Sequence, residues 1–340
     1  MTGGAYTPSS WEPEAHGLFA APSKRVMDTW YEERFKVLNH FEYEKMYDIY
    51  AGIEDKLFEG AIDTHLHIYP DYVPRSIDMI QYAIDASKAK MRAVVYKEHF
   101  FTNVHAAWAV QYIIDDMVRR GELDHGVKVF GTINLAFSHH PDQVRLISKY
   151  PNVGAIFFYT FTGWPEPERR RVGPVLPIED DKGGLLPEIK EILRIAADNN
   201  IGIMTGHKRP DRNMALVKGC HEVGARVLVT HGHMTSPVGS GGIEKAKEMA
   251  RLGAYLEVGA THWLPSVYFP CQDPNLPQEF IKAVGPEHII INTDFGQLLQ
   301  MHPLEGFKLY IRGLLHVGFN EKDIKTMIQV NPAKFLNLKD

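Results

Sequence analysis

The chain has 340 residues, 44% of them hydrophobic and 23% charged, enough apolar content for a large core but with no apolar run long enough to cross a bilayer. Its 37 Lys and Arg against 42 Asp and Glu leave a net charge of -5, which argues against nucleic acid or an anionic membrane as partner. Two cysteines, Cys220 and Cys271, cannot build a disulfide framework or a thiolate zinc cluster, and the polar start MTGGAYTPSS lacks the charged-then-apolar pattern of a secretory signal, so a soluble protein of the reducing cytoplasm is expected.

Residues 1–60 read as an N-terminal helical extension. Val26, Trp30, Val37 and Phe41 share one helical face, and Met46, Ile49 and Ile53 another. Such a pair either plugs the bottom of the following domain, packs along it, or packs on a second subunit; a homo-oligomer is the default expectation. From residue 61 to 340 the chain alternates short apolar runs with amphipathic helices, the pattern of βα units around a parallel sheet. The runs fall at 61–67, 92–97, 127–135, 153–159, 201–206, 226–231, 254–258 and 288–294, which makes eight strands. Between them, Ile77, Ile80 and Ile84 behind a cap at Ser76, and Ile189, Ile192 and Ala196 behind Pro187, recur at helical spacing. The expected fold is an α/β (β/α)8 TIM barrel, since an open doubly wound sheet would show fewer strands and a glycine-rich first turn. The loop at 160–184, rich in Pro, Gly and charge, exceeds a plain connection and reads as a lid or an oligomer contact.

The 17 histidines gain meaning from their positions. In a barrel, the carboxyl ends of the strands share one mouth. The first strand ends in Asp63-Thr64-His65-Leu66-His67, where alternation puts His65 and His67 on one face, able to hold one cation. His207 closes IGIMTGH, His231 closes RVLVTH and Asp294 closes HIIINTD. Each alone could be a core polar group or a cap; together, five potential ligands at the ends of four strands point to a metal site.

These residues resemble the amidohydrolase superfamily of metal-dependent barrel enzymes: H-x-H on strand one, His on strands five and six, Asp on strand eight. The resemblance covers residues 61–338, and the close Asn331-Pro332-Ala333-Lys334-Phe335-Leu336 is similar to the N-x-A-x-x-L of its decarboxylase and TatD-like relatives. It implies His65, His67 and Asp294 on a buried divalent metal, with His207 and His231 on a second metal or on the substrate. Zn²⁺ is the first choice, Mn²⁺ or Fe²⁺ being compatible with the same donors, and one or two ions per chain are implied.

Many binuclear members carry a bridging carboxylated Lys or a Glu at the end of strand four. Here that strand reads AIFFYT and offers only Tyr159 and Thr160. In strand two, RAVVYKEHF, Lys97 and His99 share a face, so Lys97 is the candidate bridge, or else a substrate-anchoring cation; His99 is a weaker candidate for direct contact, and Glu98 points away. His233 and His262 are placed near the mouth as candidates for proton transfer or support. His139 and His140, with the remaining histidines, read as structural or surface residues. Glu257 either hydrogen-bonds a ligand or forms a buried ion pair.

The implied chemistry is hydrolysis of a small-molecule amide, lactone or related C–N or C–O bond, with Asp294 as base and His231 or His207 stabilising the oxyanion. Two alternatives are non-hydrolytic decarboxylation of an aromatic or dienoic acid, which the bare strand four favours, and a metal or ligand binder without turnover. Phe100, Phe101, Phe161, Trp164, Trp263 and Tyr268, with Lys208, Arg209 and Arg169 to Arg171, would suit a cyclic or aromatic substrate bearing an acidic group.

Overall fold

The computed structural model describes residues 52–159, 176–235, 238–264 and 275–339. The helices expected before residue 52, most of the 160–184 loop, and Phe161, Trp164, Arg169 to Arg171 and Tyr268 lie outside those residues. In chain order the elements are α1 (Ile53–Phe58), β1 (Ile62–His67), α2 (Met79–Lys88), β2 (Ala93–Lys97), α3 (Val104–Arg119), β3 (Lys128–Asn134), α4 (Pro141–Ile147) and β4 (Val153–Phe157). They continue with α5 (Pro187–Asp198), β5 (Gly202–Met204), α6 (Pro210–Val223), β6 (Val227–Val229), α7 (Ile243–Arg251), β7 (Tyr255–Gly259), α8 (Asn275–Val284), β8 (Ile289–Asn292), α9 (Pro303–His316), α10 (Glu321–Lys325) and α11 (Asn331–Phe335).

All eight strands are parallel and pair in sequence order. Beyond the last strand, Asp294 N–H donates to the His65 carbonyl and His67 N–H to the Phe295 carbonyl, both at 2.8 Å, drawing the ring shut. The architecture is the expected (β/α)8 barrel. Its strands are buried on both faces, which is why they read as nearly unbroken apolar runs. Ala93, Val95, Phe157, Met204 and Ile290 fill the interior, while Val94, Tyr96, Ile156, Ile203 and Ile291 meet the surrounding helices.

Among the described residues the barrel floor is closed by the end of the chain. Ala333, Phe335 and Leu336 belong to the interior cluster, and the Phe335 ring lies so close to Gly202 that a Cβ there would come within 2.4 Å of it. Asn331 Nδ2 donates to the Pro286 and Ile289 carbonyls at 2.8 and 2.7 Å, tying the floor to β8. The described end of the N-terminal segment, α1, instead packs on α9, with Phe58 edge-on to Phe307.

Helix α2 differs from expectation in its start and its buried face. Its cap is Asp78, not Ser76: the carboxylate accepts from Ile80 N–H and Gln81 N–H at 2.9 and 2.8 Å, satisfying two donors that the helix itself cannot. The buried stripe is accordingly Met79, Tyr82, Ala83 and Ala86, with Ile80 turned out to solvent. In α5, Ile189, Ile192 and Ala196 are buried behind Pro187 as expected. No described helix is long and apolar enough to cross a membrane.

Candidate metal centre

The H-x-H pair enters the barrel through a bulge. Ile62 pairs with Ala93 and Asp63 with Val94, but Leu66 pairs with Tyr96 and His67 with Lys97, so β1 takes three steps where β2 takes two. Ile62 faces the interior, and strict alternation from it would send His65 and His67 outward; the extra residue turns both inward. Asp63, left on the outer side, accepts from Thr293 Oγ1 at 2.6 Å and from the N–H groups of Thr293 and His65 at 3.2 Å. That pins the end of β8 beside the bulge. Burial raises its carboxyl to about 7 against these hydrogen bonds.

At the centre, Asp294 Oδ1 lies 3.2 Å from both His65 Nε2 and His67 Nε2. On the reverse side of His65, Nδ1 is 2.9 Å from Glu257 Oε2. The other oxygen of Glu257 accepts from His231 N–H at 3.1 Å and lies 3.1 Å from His231 Nδ1. Burial pushes the Glu257 carboxyl up, but the charge of His65 and the contacts with His231 and His65 outweigh it and hold the group well below its ordinary value. One inward residue of β7 therefore backs two imidazoles, the contact by which a carboxylate fixes a ring so that Nε2 is left for a ligand.

His231 Nε2 is 2.9 Å from His207 Nε2 and 3.9 Å from Asp294 Oδ2. His207 follows Gly206, whose φ of 67° and 2.0 Å Cβ clash with the Phe158 carbonyl admit only glycine. His231 and Asp294 themselves adopt φ of 52° and 51°. Left-handed backbone at two non-glycine strand ends is costly, and it is what swings these side chains into the mouth.

Lys97 Nζ stands 2.9 Å from His65 Nε2 and 4.3 Å from the centre of the Phe157 ring. Burial lowers its ammonium to about 8, against the attraction of Asp294 and Glu257. His99 stacks behind His67, ring centres 4.4 Å apart. Glu98 points away, its carboxylate accepting the N–H groups of Phe100 and Phe101. Among the described residues the end of β4 contributes no ligand, Thr160 lying outside them: the Tyr159 hydroxyl donates to the Leu176 carbonyl at 2.8 Å.

Three candidate substrate contacts have partners within the protein. Arg209 is exposed and pairs with Asp211 in the first turn of α6. Trp263 is 2% exposed and packs on Tyr310, ring centres 4.8 Å apart, because the short turn Ala260–His262 after β7 rotates it into the core. Lys208 is buried, its Nζ 3.0 Å from the centre of the Tyr159 ring and 3.4 Å from the Tyr159 carbonyl oxygen. His233 does reach the region, with Nδ1 3.4 Å from the Glu257 carbonyl oxygen.

Sequence reasoning missed Asp71 and Arg75. The guanidinium Nη2 lies 2.6 Å from Asp71 Oδ2, 3.1 Å from His67 Nδ1 and 2.9 Å from His99 Nδ1, and Nη1 reaches Gln297. Their four-residue spacing was the only cue, and a loop has no periodicity to give it meaning. Burial, then the charges of Arg75 and Lys97, lower the His67 imidazole to about 4; burial likewise drives His207 well below its ordinary range. Imidazole nitrogens converging on an ionised carboxylate, with ligand atoms of His65, His67 and Asp294 all within 4.8 Å of one another, are a donor set that fits a divalent transition metal.

The family model described as "Family of unknown function (DUF6282)" matches residues 60–257. No curated protein matches the chain by sequence. Among solved structures, an amidohydrolase from Pseudomonas aeruginosa is similar at 14% identity and a TM-score of 0.55, over 84% of this chain and 99% of its own. A "probable 2-pyrone-4,6-dicarboxylic acid hydrolase" from Acinetobacter baumannii with citric acid bound gives 14% and 0.54, over 82% and 100%. A weak promiscuous lactonase template engineered for organophosphate hydrolysis gives 11% and 0.53, over 82% and 96%. At these identities the likeness establishes the barrel fold.

Proposed function

The chain belongs to the DUF6282 family, and from the site it carries we propose that it is a metal-dependent hydrolase of a small-molecule amide, lactone or related C–N or C–O bond. The observation that supports this most directly is Asp294 Oδ1 held 3.2 Å from both His65 Nε2 and His67 Nε2 at the mouth of the barrel. A divalent cation bound there, Zn²⁺ first and Mn²⁺ or Fe²⁺ next, lowers the pKa of a water and polarises a carbonyl.

The chain's own groups are arranged for the rest of the reaction. Burial would raise the Asp294 carboxyl, but His65, His67 and His231 outweigh it and keep the group ionised, fit to act as base. Its Oδ2 faces His231 and is the oxygen placed to take a proton from water. The water oxygen adds to the carbonyl carbon, the C–N or C–O bond breaks, and Asp294 returns the proton to the departing atom. His231 and His207, whose Nε2 atoms stand 2.9 Å apart, are the imidazoles proposed to stabilise the oxyanion, through whichever of the two carries its proton on Nε2. Lys97 is either a carboxylated bridge or an anchor for an acidic substituent. Exposed Tyr72, Phe101 and Phe137 supply aromatic surface for a cyclic substrate.

Two of the fold neighbours are named for lactone or pyrone chemistry, so lactones head the test panel, followed by amides and esters with and without a carboxylate. Turnover that a chelator abolishes, that added metal restores and that Asp294→Asn loses is the expected result; turnover indifferent to both would refute the reading. The second reading, non-hydrolytic decarboxylation, has one observation in its favour: β4 supplies no bridging ligand and Tyr159 is engaged with Leu176. Carbon dioxide release from aromatic or dienoic acids distinguishes it. A binder without turnover would load metal and convert nothing on either panel. A cytoplasmic homo-oligomer accompanies the proposal; the exposed, stacked Trp108 and Tyr112 on α3 support self-association, which light scattering measures.

A further inference from the structure

A guanidinium is a fork of N–H donors with no acceptor, so every neighbour of Arg75 must accept. Nε donates to Asp71 Oδ2 at 2.8 Å, and Nη1 donates to Gln297 Oε1. Nη2 lies 3.1 Å from His67 Nδ1 and 2.9 Å from His99 Nδ1, and also 2.6 Å from Asp71 Oδ2, which Nε–H already serves. The two hydrogens of Nη2 are therefore left for the two imidazoles. The loop carrying Arg75 is fastened to the turn after β8: Ser76 N–H donates to the Gly296 carbonyl at 3.0 Å, and Arg75 and Gln297 form an antiparallel bridge.

Behind His65, the Glu257 carboxylate calls for a proton on Nδ1. Arg75 makes the opposite demand of His99. Asp71 Oδ2 could accept from His99 Nδ1 at 3.2 Å, but a proton there would face an Arg75 N–H at the shorter 2.9 Å. With Nδ1 accepting, the ring proton sits on Nε2. The bond opposite Nδ1 in an imidazole is Cδ2–Nε2, and the His67 and His99 rings are parallel within 7° at 4.4 Å, so both Nε2 atoms lie along the edge turned away from the guanidinium. The Arg75 and Asp71 side chains are sealed at 1% and 0% exposure, His99 keeps 7%, and His67 Nε2 faces Asp294.

We propose that Arg75 is a positioning residue that makes His99 an N–H donor to the substrate: by donating to Nδ1 it holds the His99 proton on Nε2, beside the first metal position, where it meets an oxygen of an acidic substituent. On the same strand, Lys97 Nζ stands 2.9 Å from His65 Nε2, so β2 offers two donors along the H-x-H pair. In the ring of strands β2 lies opposite β6, which leads to His231, and next but two to β5, which leads to His207. The acidic substituent thus lies on the β2 side, and the oxyanion stays with His207 and His231. This rests on the hydrolase reading above and adds to it the group that tells a carboxylated substrate from its uncarboxylated analogue.

The first test reads the tautomer without any turnover. In full-length protein supplied with Zn²⁺ and labelled with nitrogen-15 in its histidines, long-range nitrogen–proton correlations should show His99 protonated on Nε2, and in a folded Arg75→Met the proton should pass to Nδ1, facing Asp71. The second test uses a substrate pair from the panel, with and without a carboxylate. His99→Phe keeps a ring to stack on His67 but has no donor; it should raise KM about tenfold or more for the carboxylated member, with kcat and the uncarboxylated member little changed. A wild-type His99 protonated on Nδ1, a tautomer indifferent to Arg75→Met, or equal losses on both members would overturn the inference with the hydrolase reading intact. Absence of turnover by the wild type on the whole panel would refute that reading and the substrate contact that depends on it.

Discussion

His65 Nδ1 sits 2.9 Å from Glu257 Oε2, a contact between two side chains with no exposed surface. The ionised carboxylate is the natural acceptor for a proton on Nδ1, which makes Nε2, beside Asp294 and Lys97, the nitrogen available to a metal. The same carboxylate lies 3.1 Å from His231 Nδ1, so one residue sets the orientation of rings on two different strand ends.

Glu257→Gln should therefore weaken metal binding by about 10–100-fold. The amide has one acceptor where the carboxylate has two, and its NH₂ would face an imidazole N–H. Chelator competition on the folded variant measures the loss; unchanged affinity would show that packing alone orients the two rings.

The contact between Arg75 Nη2 and His67 Nδ1 makes a different demand. A guanidinium only donates, so at 3.1 Å it requires Nδ1 to accept, which puts the proton of a neutral His67 on Nε2, facing Asp294 Oδ1. With its pKa lowered to about 4, the ring is neutral at pH 7. A cation binding at Nε2 displaces that proton, and Nδ1 cannot take it while Arg75 stands there. Loading at pH 7 should release about one proton per His67 ligated, read from calorimetry in buffers of different ionisation enthalpy. Release of none would mean that Arg75 withdraws and the ring changes tautomer.

Why the barrel and its five proposed ligands were legible while their support was not follows from what periodicity encodes. Apolar runs ending in His or Asp mark strands whose carboxyl ends share a mouth, and the inward positions of Lys97 and Glu257 follow from simple alternation. The inward turn of His65 and His67 needs a bulge, and that of His231 and Asp294 needs left-handed backbone. Neither device leaves a mark in the hydrophobic pattern. Gly206 is the exception, since glycine before His207 is the residue such a turn selects. Asp71 and Arg75 reach the site through a loop, and Trp263 leaves the mouth through a single short turn. Sequence spacing constrains neither path.

Closure of the floor by the chain's last helix can be tested apart from the chemistry. Phe335 is fully buried among Gly202 and the inward residues of the strands, at the opposite end from the histidines. Phe335→Ala should cost about 3–5 kcal/mol in denaturant unfolding, from lost burial and the cavity left behind. Metal stoichiometry of the folded variant should stay as in the wild type. A loss below about 1 kcal/mol would mean that the floor collapses around the gap.

His139 offers a pH dependence whose sign can be worked out. It stacks on Tyr159 with ring centres 5.9 Å apart, and burial followed by the nearby Lys208 lowers its imidazole from 6.5 to about 4. Between those pH values the unfolded chain binds a proton at this residue that the folded chain refuses, so its contribution to stability is intact above 6.5 and is lost as pH falls toward 4. His67 and His233, both lowered to about 4, act in the same direction; Asp63, raised to about 7, acts in the opposite one. The total slope is therefore mixed, and the difference between proteins isolates the residue. Denaturant midpoints measured between pH 7 and pH 4 should fall more steeply for the wild type than for His139→Gln, which has no group to protonate there. Parallel slopes would show that His139 titrates in the folded protein as it does in the unfolded one.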